Sequence, residues 1–527
     1  MSYEKDGWIY MSVHGTPKER GYAIGFLGAK EFKEIQTTIE FNCMEEMGYS
    51  WKDFFVPKSK ELYNDRIQKE FPEFYEEMEG ITEGCVAGGT PTTLDEIIAW
   101  NNSISLLEYW FPNMGGSVTE NKHTRGEGGG SADRCSGFIA CGEYTEGGTI
   151  VMAHNSFCPF LDGQYYNVML DIKPSDYKGS QGERMLLQTN PCWIWSGSDV
   201  FVTGAGIMGT ETTIGGFSKF ENNLPISCRI RKAMQYGKNL KEYEKILLDG
   251  NSGDYANSWL FGDTNTGEIM RIELGLKYHK TEIKKDGYFI GCNVAFDPEL
   301  RNLECGNTGY CDIRRHQGSR QVRLPDLMEQ YKGKITVENG KQIIADHYDV
   351  YLNKENPCSR TVCSHYELDA REYMSDPSRP KPFQPRGAVD GAVTDSELTK
   401  KMSVWMRWGS SCGTAFDKKA FCDKHRQWKH IEPYLRDRPS QPWSLFTTTD
   451  VSATKSKAKK SGSGSGSGSL KKNRKPANAA LRTRRKKKQT KTQPEEDKKD
   501  TEDTTTTTST DTDTDTDTSI VVGEKDI

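Results

Sequence analysis

At residue 135 the chain changes character across a single peptide bond, and that change limits what it can fold into. Ser117 to Arg134 (SVTENKHTRGEGGGSADR) is polar with three consecutive glycines, whereas CSGFIAC, from Cys135 on, is an apolar strand-forming run. Upstream, residues 1–116 read as mainly helical. Pro17 to Thr38 carries an amphipathic helical pattern, and Ser59 to Gly84 mixes helix formers with an apolar stripe interrupted at Pro72. Thr93 to Tyr109 offers a capped start, with Asp95 and Glu96 in its first turn.

Downstream the pattern becomes short apolar runs with β-branched residues and turn signals, such as TIVMAHN, YYNVMLDI and DVFVTGAGIMG. NSWLFGD and EIMRIEL, joined by TNTG, read as a hairpin. Ile226 to Asp249 before it reads as a helix, and Asp326 to Tyr331 after it as a weaker one. Helices followed by strands with inserted helices imply an α+β fold and not a parallel βαβ sheet. The expected organisation is a helical segment over 1–134 ending in a Gly-rich loop, a catalytic region over 135–446, and a low-complexity tail over 447–527.

The tail holds SGSGSGSGS, a basic block (LRTRRKKKQTK) and TTTTTSTDTDTDTDT, a composition that buries too little apolar area to offset its ordering entropy. Its basic block offers contacts to an anionic membrane surface or nucleic acid; a merely solvated tail is the plainer reading. Without residues 451–527 the body holds 52 Lys and Arg against 63 Asp and Glu, a net of −11, which gives no electrostatic reason to expect nucleic acid there. No apolar run approaches the ~20 residues a bilayer span needs. The N-terminus, MSYEKDGWIYMSV, lacks the apolar region of a secretory signal. The 14 cysteines form no CxxC pair, so Cys305, Cys311, Cys358 and Cys363, with His365 nearby, read as ordinary buried thiols before they read as metal ligands. No metal and no cofactor is expected.

Cys135 at this junction reads either as an ordinary buried strand cysteine after a loop or as a nucleophile. A thiol can attack a carbonyl once a base takes its proton. A cut between Arg134 and Cys135 would free an α-amino group whose ordinary pKa, about 7.7–8.0, suits a general base. The same thiol can make that cut by attacking the Arg134 carbonyl, and the flexible GEGGG loop lets the scissile bond bend. CSGFIAC and TIVMAHN flank GEYTEGG, a hairpin loop. If Cys141 pairs with Thr149, Cys135 stands opposite Asn155; a slip of one residue brings His154 there instead.

CSGFIACGEYTEGGTIVMAHNSF resembles the start of the catalytic chain of the phospholipase B-like proteins, N-terminal-nucleophile (Ntn) hydrolases related to penicillin acyltransferases. HGTPKERGYAIGFLGAKEF, NSGDYANSWLFGDTNTGEIMRIELG and QPRGAVDGAVTDSELTKKMSVWMRWGSSCGTAFD resemble the same family, in order, over roughly residues 8–445. The resemblance implies an αββα sandwich of two antiparallel sheets between helical layers. It implies self-cleavage before Cys135 and a cysteine thioester intermediate formed from an acyl lipid or amide, with the two resulting chains staying associated. It also implies Asn257 at the oxyanion, His154 or Asn155 beside the nucleophile where relatives often hold an arginine, and Arg386 near the site. An acyltransferase is the close variant, and a catalytically silent binding protein of the same fold the alternative.

Two formal motifs lack their context. GAGIMG, over Gly204, Gly206 and Gly209, is followed by strand and turn signals and not by a helix. GSSCG around Ser411 lacks the later Asp and His partners of a nucleophile elbow. The compartment stays open: cytoplasmic by default, lysosomal or extracellular on family precedent.

Overall fold

A computed structural model describes residues 1–114, 135–197, 200–217, 219–306, 309–370 and 382–449, all within the first of two units, Met1–Lys457 and Ala458–Ile527. The expected cleavage bond at Arg134, the glycine loop and nearly all of the tail therefore lie outside the described residues.

Two large sheets dominate. The first has nine strands: β1 (Ser2–Lys5), β2 (Trp8–Gly15), β5 (Val168–Pro174), β6 (Met185–Thr189), β7 (Val200–Thr203), β8 (Ile207–Thr213), β9 (Asn257–Asp263), β10 (Glu268–Leu274) and β11 (His279–Lys284), paired in that order. The second runs β12 (Gly287–Gly291), β3 (Cys135–Gly142), β4 (Gly148–Pro159), β16 (Asp390–Asp395), β17 (Ser403–Trp408) and β18 (Ser444–Thr447), with β15 (Arg386–Ala388) also on β4. A short ladder joins β13 (Tyr348–Asp349) to β14 (Lys354–Glu355). Among the described pairs in the two large sheets, β2 with β5 is parallel and the rest are antiparallel.

Strand alternation sorts the core into layers. Met169, Leu186, Met208 and Leu260 of the first sheet meet Ile139, Met152, Ala392 and Met406 of the second in the middle of the sandwich. Residues of opposite parity on the first sheet, among them Leu170, Leu187, Trp259 and Phe261, face outward onto Ile24, Phe32, Ile81, Met234 and Tyr243. On the second sheet Phe138, Ala140, Val151 and Ala153 face outward onto Leu324, Leu327 and Ile343. The result is helix, sheet, sheet, helix: an αββα sandwich, the architecture expected from the sequence resemblance.

The helix Pro17–Met47 starts as its sequence dictates, with Thr16 and Glu19 forming a reciprocal capping box. It lies against Pro72–Ala87 at a distance only glycine permits: a Cβ on Gly21 or Gly25 would stand 2.0 Å from the carbonyl oxygens of Glu77 and Ile81. At this contact buried Arg20 and Arg231 both pair with buried Glu77.

Within the region read as mainly helical, the first 15 residues form β1 and β2, part of the nine-stranded sheet. One sequence expectation needs correction. Ile226–Asp249 is two helices, Ile226–Tyr236 and Leu240–Leu248, because Gly237 turns extended and the Asn239 side chain caps a new start by accepting from the Glu242 N–H. The helix expected at Asp326–Tyr331 is the end of a longer one, His316–Gln330, and the hairpin β9–β10 forms as expected. Gly204, Gly206 and Gly209 lie in and after the β7–β8 turn, a strand setting as expected.

Candidate active site

Cys135 is the first residue of β3 and is buried. The β3–β4 hairpin exists, but its register departs from the expected one: Cys135 faces Ser156, Ser136 faces Asn155 and Gly137 faces His154. The cause is a bulge. Between the pairs Ala140–Val151 and Gly142–Gly148, the single residue Cys141 of β3 spans both Thr149 and Ile150 of β4. Gly147 and Gly148, both at φ +72°, give the turn the left-handed backbone such a shift requires.

A one-residue offset exchanges faces. His154 shares the inner, inter-sheet face with Cys135, two pairs further along. Asn155 lies on the outer face with Ser136. There its Oδ1 accepts from the Ser136 N–H (3.2 Å), and its Nδ2 donates to the Ile344 and Val362 carbonyls (2.9 and 3.1 Å) and to Ser411 Oγ (3.1 Å). Ser411 in turn donates to the Ile344 carbonyl, so it braces a loop and is no exposed nucleophile. Burial pushes the His154 imidazole down to about 3, so it is neutral at ordinary pH.

Residues the sequence did not single out surround Cys135. Asn293, buried and at φ +66°, accepts through Oδ1 from the Cys135 N–H (3.4 Å) and donates through Nδ2 to the Thr213 carbonyl (2.7 Å). Arg320, buried on His316–Gln330, donates to the Cys135 carbonyl (2.5 Å), Ser136 Oγ (3.2 Å) and Asn293 Oδ1 (2.8 Å). Its guanidinium also lies over the Phe157 ring. Both residues follow Cys135 by more than 150 positions, so no local motif marks them.

Asn257 heads β9 opposite Thr213, the residue whose carbonyl binds Asn293. It is buried, and neither atom of its amide has a hydrogen-bond partner. Asn190, just past β6, is in the same condition. Two residues before it, Gln188 donates to Asp390 (2.7 Å), which also accepts from the N–H of Ser156, the residue facing Cys135 (2.7 Å). Burial raises the Asp390 carboxyl to about 6. β3, β9 and β16 thus begin, and β6 and β8 end, at one end of the sandwich.

Arg386 is buried on β15 opposite Pro159, with its guanidinium over the Tyr366 ring. Pro159 is three residues along β4 from Ser156, a displacement of about 10 Å. The structure therefore brings Asn293 and Arg320 against Cys135, sets His154 two pairs along on the same face and Asn155 on the other, and places Arg386 further along the strand.

No family model matches the chain. It is 24% identical over 283 residues to a phospholipase B of Crotalus adamanteus, covering 49% of this chain and 48% of that protein. It is 22% identical over 407 residues to an uncharacterized protein of Archaeoglobus fulgidus, covering 70% of this chain and 64% of the relative. The chain thus spans about half the length of the phospholipase B. Solved structures similar to it include a mutant conjugated bile acid hydrolase of Clostridium perfringens, at TM-score 0.31 and 11% identity over 52% of this chain and 89% of that one. Penicillin V acylase of Agrobacterium tumefaciens aligns at TM-score 0.27 and 11% identity, over 52% and 83%. The phospholipase B match agrees with the resemblance carried by the sequence motifs. Among the described residues no helix is long and apolar enough to cross a membrane.

Proposed function

We propose that this chain, similar in sequence to a phospholipase B and built as an Ntn sandwich, is a self-processing acyl hydrolase whose nucleophile is Cys135. The observation that carries the reading is the seat around the Cys135 backbone nitrogen. Asn293, itself fixed by Thr213 and Arg320, accepts from that nitrogen. Cleavage of the Arg134–Cys135 bond turns the nitrogen into an α-amine held in the same place. The neighbouring guanidinium disfavours the ammonium form, which keeps the amine available as a base.

In the proposed cycle the amine takes the Cys135 thiol proton, and Sγ attacks the acyl carbonyl of a phospholipid ester or an amide. The partnerless amides of Asn257 and Asn190 supply N–H donors for the oxyanion as the tetrahedral intermediate forms. The leaving alcohol or amine departs with the proton, leaving a thioester. Water, activated by the same amine, then releases the acid. Neutral His154 lines the inner face, Asn155 positions β4 from behind, and Arg386 lies down-strand where it suits a longer substrate's polar group.

N-terminal sequencing and intact mass of purified protein test the reading directly. A chain beginning at Cys135 is expected for the wild type, and an uncut chain for Cys135→Ala. A panel of phospholipids and N-acyl amides should be turned over by the processed wild type alone. A folded wild type that remains uncut and turns over no member of the panel would overturn the proposal.

A further inference from the structure

Three loops hang on Asn155, through Ile344, Val362 and Ser411. Each continues within three residues into a sulfur or imidazole group: His347 after Ile344, Cys363 and His365 after Val362, and Cys412 after Ser411. The ligand atoms of these four side chains all lie within 4.8 Å of one another. His365 Nε2 is 3.3 Å from Cys363 Sγ and 3.4 Å from Cys412 Sγ. In a tetrahedral zinc site, bonds of about 2.3 Å to sulfur and about 2.05 Å to nitrogen put neighbouring S and N ligands about 3.6 Å apart.

The surroundings match a metal site as well. His365 Nδ1 is 2.7 Å from the Glu367 carboxylate, an arrangement that fixes the tautomer and turns the Nε2 lone pair toward the two sulfurs. Nε2 of His347 is buried with no hydrogen-bond partner of its own. The Thr414 N–H donates to Cys412 Sγ at 3.4 Å, which favours a thiolate there. Cys363 and His365 are fully buried, while His347 and Cys412 are half-buried and give an ion its way in.

We propose that His347, Cys363, His365 and Cys412 form a closed tetrahedral site for a zinc-class divalent ion, clamping the three loops that support Asn155 and the nucleophile hairpin. Two sulfurs and two imidazoles are the donor set that selects zinc over magnesium or calcium. Four protein ligands leave no open position, so the ion is structural. Binding displaces the two thiol protons to solvent and leaves a neutral metal–ligand centre.

The test uses the full chain. Elemental analysis after purification without chelator should find about one zinc per molecule, the stoichiometry of a single closed site. After chelation, added Co²⁺ should give intense tetrahedral d–d bands and a thiolate-to-cobalt charge-transfer band that saturates at one equivalent. Cys412→Ser should lose much of the charge-transfer intensity, and Cys363→Ser with Cys412→Ser all of it. Glu367→Gln should weaken Co²⁺ binding about 10–100-fold while leaving the bands. Cys135→Ala should bind metal like the wild type, so loss of hydrolase activity and loss of the metal site are read separately. A metal-free wild type that stays colourless with Co²⁺ would overturn the proposal. So would a Cys363–Cys412 disulfide in non-reduced peptide maps, or bands that survive the double substitution.

Discussion

The two faces of the β3–β4 hairpin handle polar side chains in opposite ways. On the outer face the Asn155 amide takes part in four hydrogen bonds, to three loops and to the partner strand. On the inner face burial strips His154 of its charge, and at the same end of the sandwich Asn190 and Asn257 keep amides with no partner. A satisfied buried amide stabilises the fold, whereas an unsatisfied one costs about 1–3 kcal/mol and is retained where a ligand can complete it. Under the proposed function the outer face serves register and the inner end serves chemistry.

Acid should break this contrast first at His154. Its folded pKa, about 3, lies below the ordinary 6.5, so its contribution is fully present above pH 6.5 and fades as pH falls toward 3. The shift corresponds to about 5 kcal/mol over that window. Urea midpoints measured against pH should show the loss in wild type and not in His154→Gln.

Asn257→Ala should cut kcat by about 10²–10³. Its unfolding free energy should stay level or rise, since a partnerless amide is removed. A large drop in stability with kcat intact would reverse the roles of the two faces. Asn155→Ala is the opposite case. It should cost about 3 kcal/mol in chemical denaturation, because it strands the Ser136 N–H and frees three loops. It should also weaken metal binding at the neighbouring cluster.

The smallest effect sharpens the picture near Cys135. Asp390 has a folded pKa of about 6, above its ordinary 3.8, so the folded state holds a proton that the unfolded chain has released between those values. Stability therefore falls by about 2 kcal/mol as pH rises from 4 to 6, opposite in sign to His154. His154→Gln should expose that downward slope alone, and Asp390→Asn the upward one.

Much of this was legible in the residues. The helix from Pro17 is written in its apolar pattern, the β9–β10 hairpin in its turn and alternation, and Cys135 stands where a polar loop meets an apolar strand. The register was not legible, because a bulge at Cys141 depends on how Gly147 and Gly148 turn, and one residue of slip moves Asn155 to the other face. Arg320 and Asn293 carry no sequence signal, because the tertiary fold alone brings them to Cys135. The cluster of His347, Cys363, His365 and Cys412 shows no short-spaced cysteine pair in sequence, because its members come from three loops between residues 347 and 412.

The parallel pairing of β2 with β5 has a consequence for a chain cut at Arg134–Cys135. β2 precedes the cut and β5 follows it, and β2 lies between β1 and the seven later strands of its sheet. Tyr10 is buried in the inter-sheet layer, and Met11 and Val13 in the helix-facing one. The two products would behave as a split protein whose smaller fragment supplies an interior strand of the larger. Dilution would not part them; only denaturation would, and separately made fragments should complement one another on refolding together.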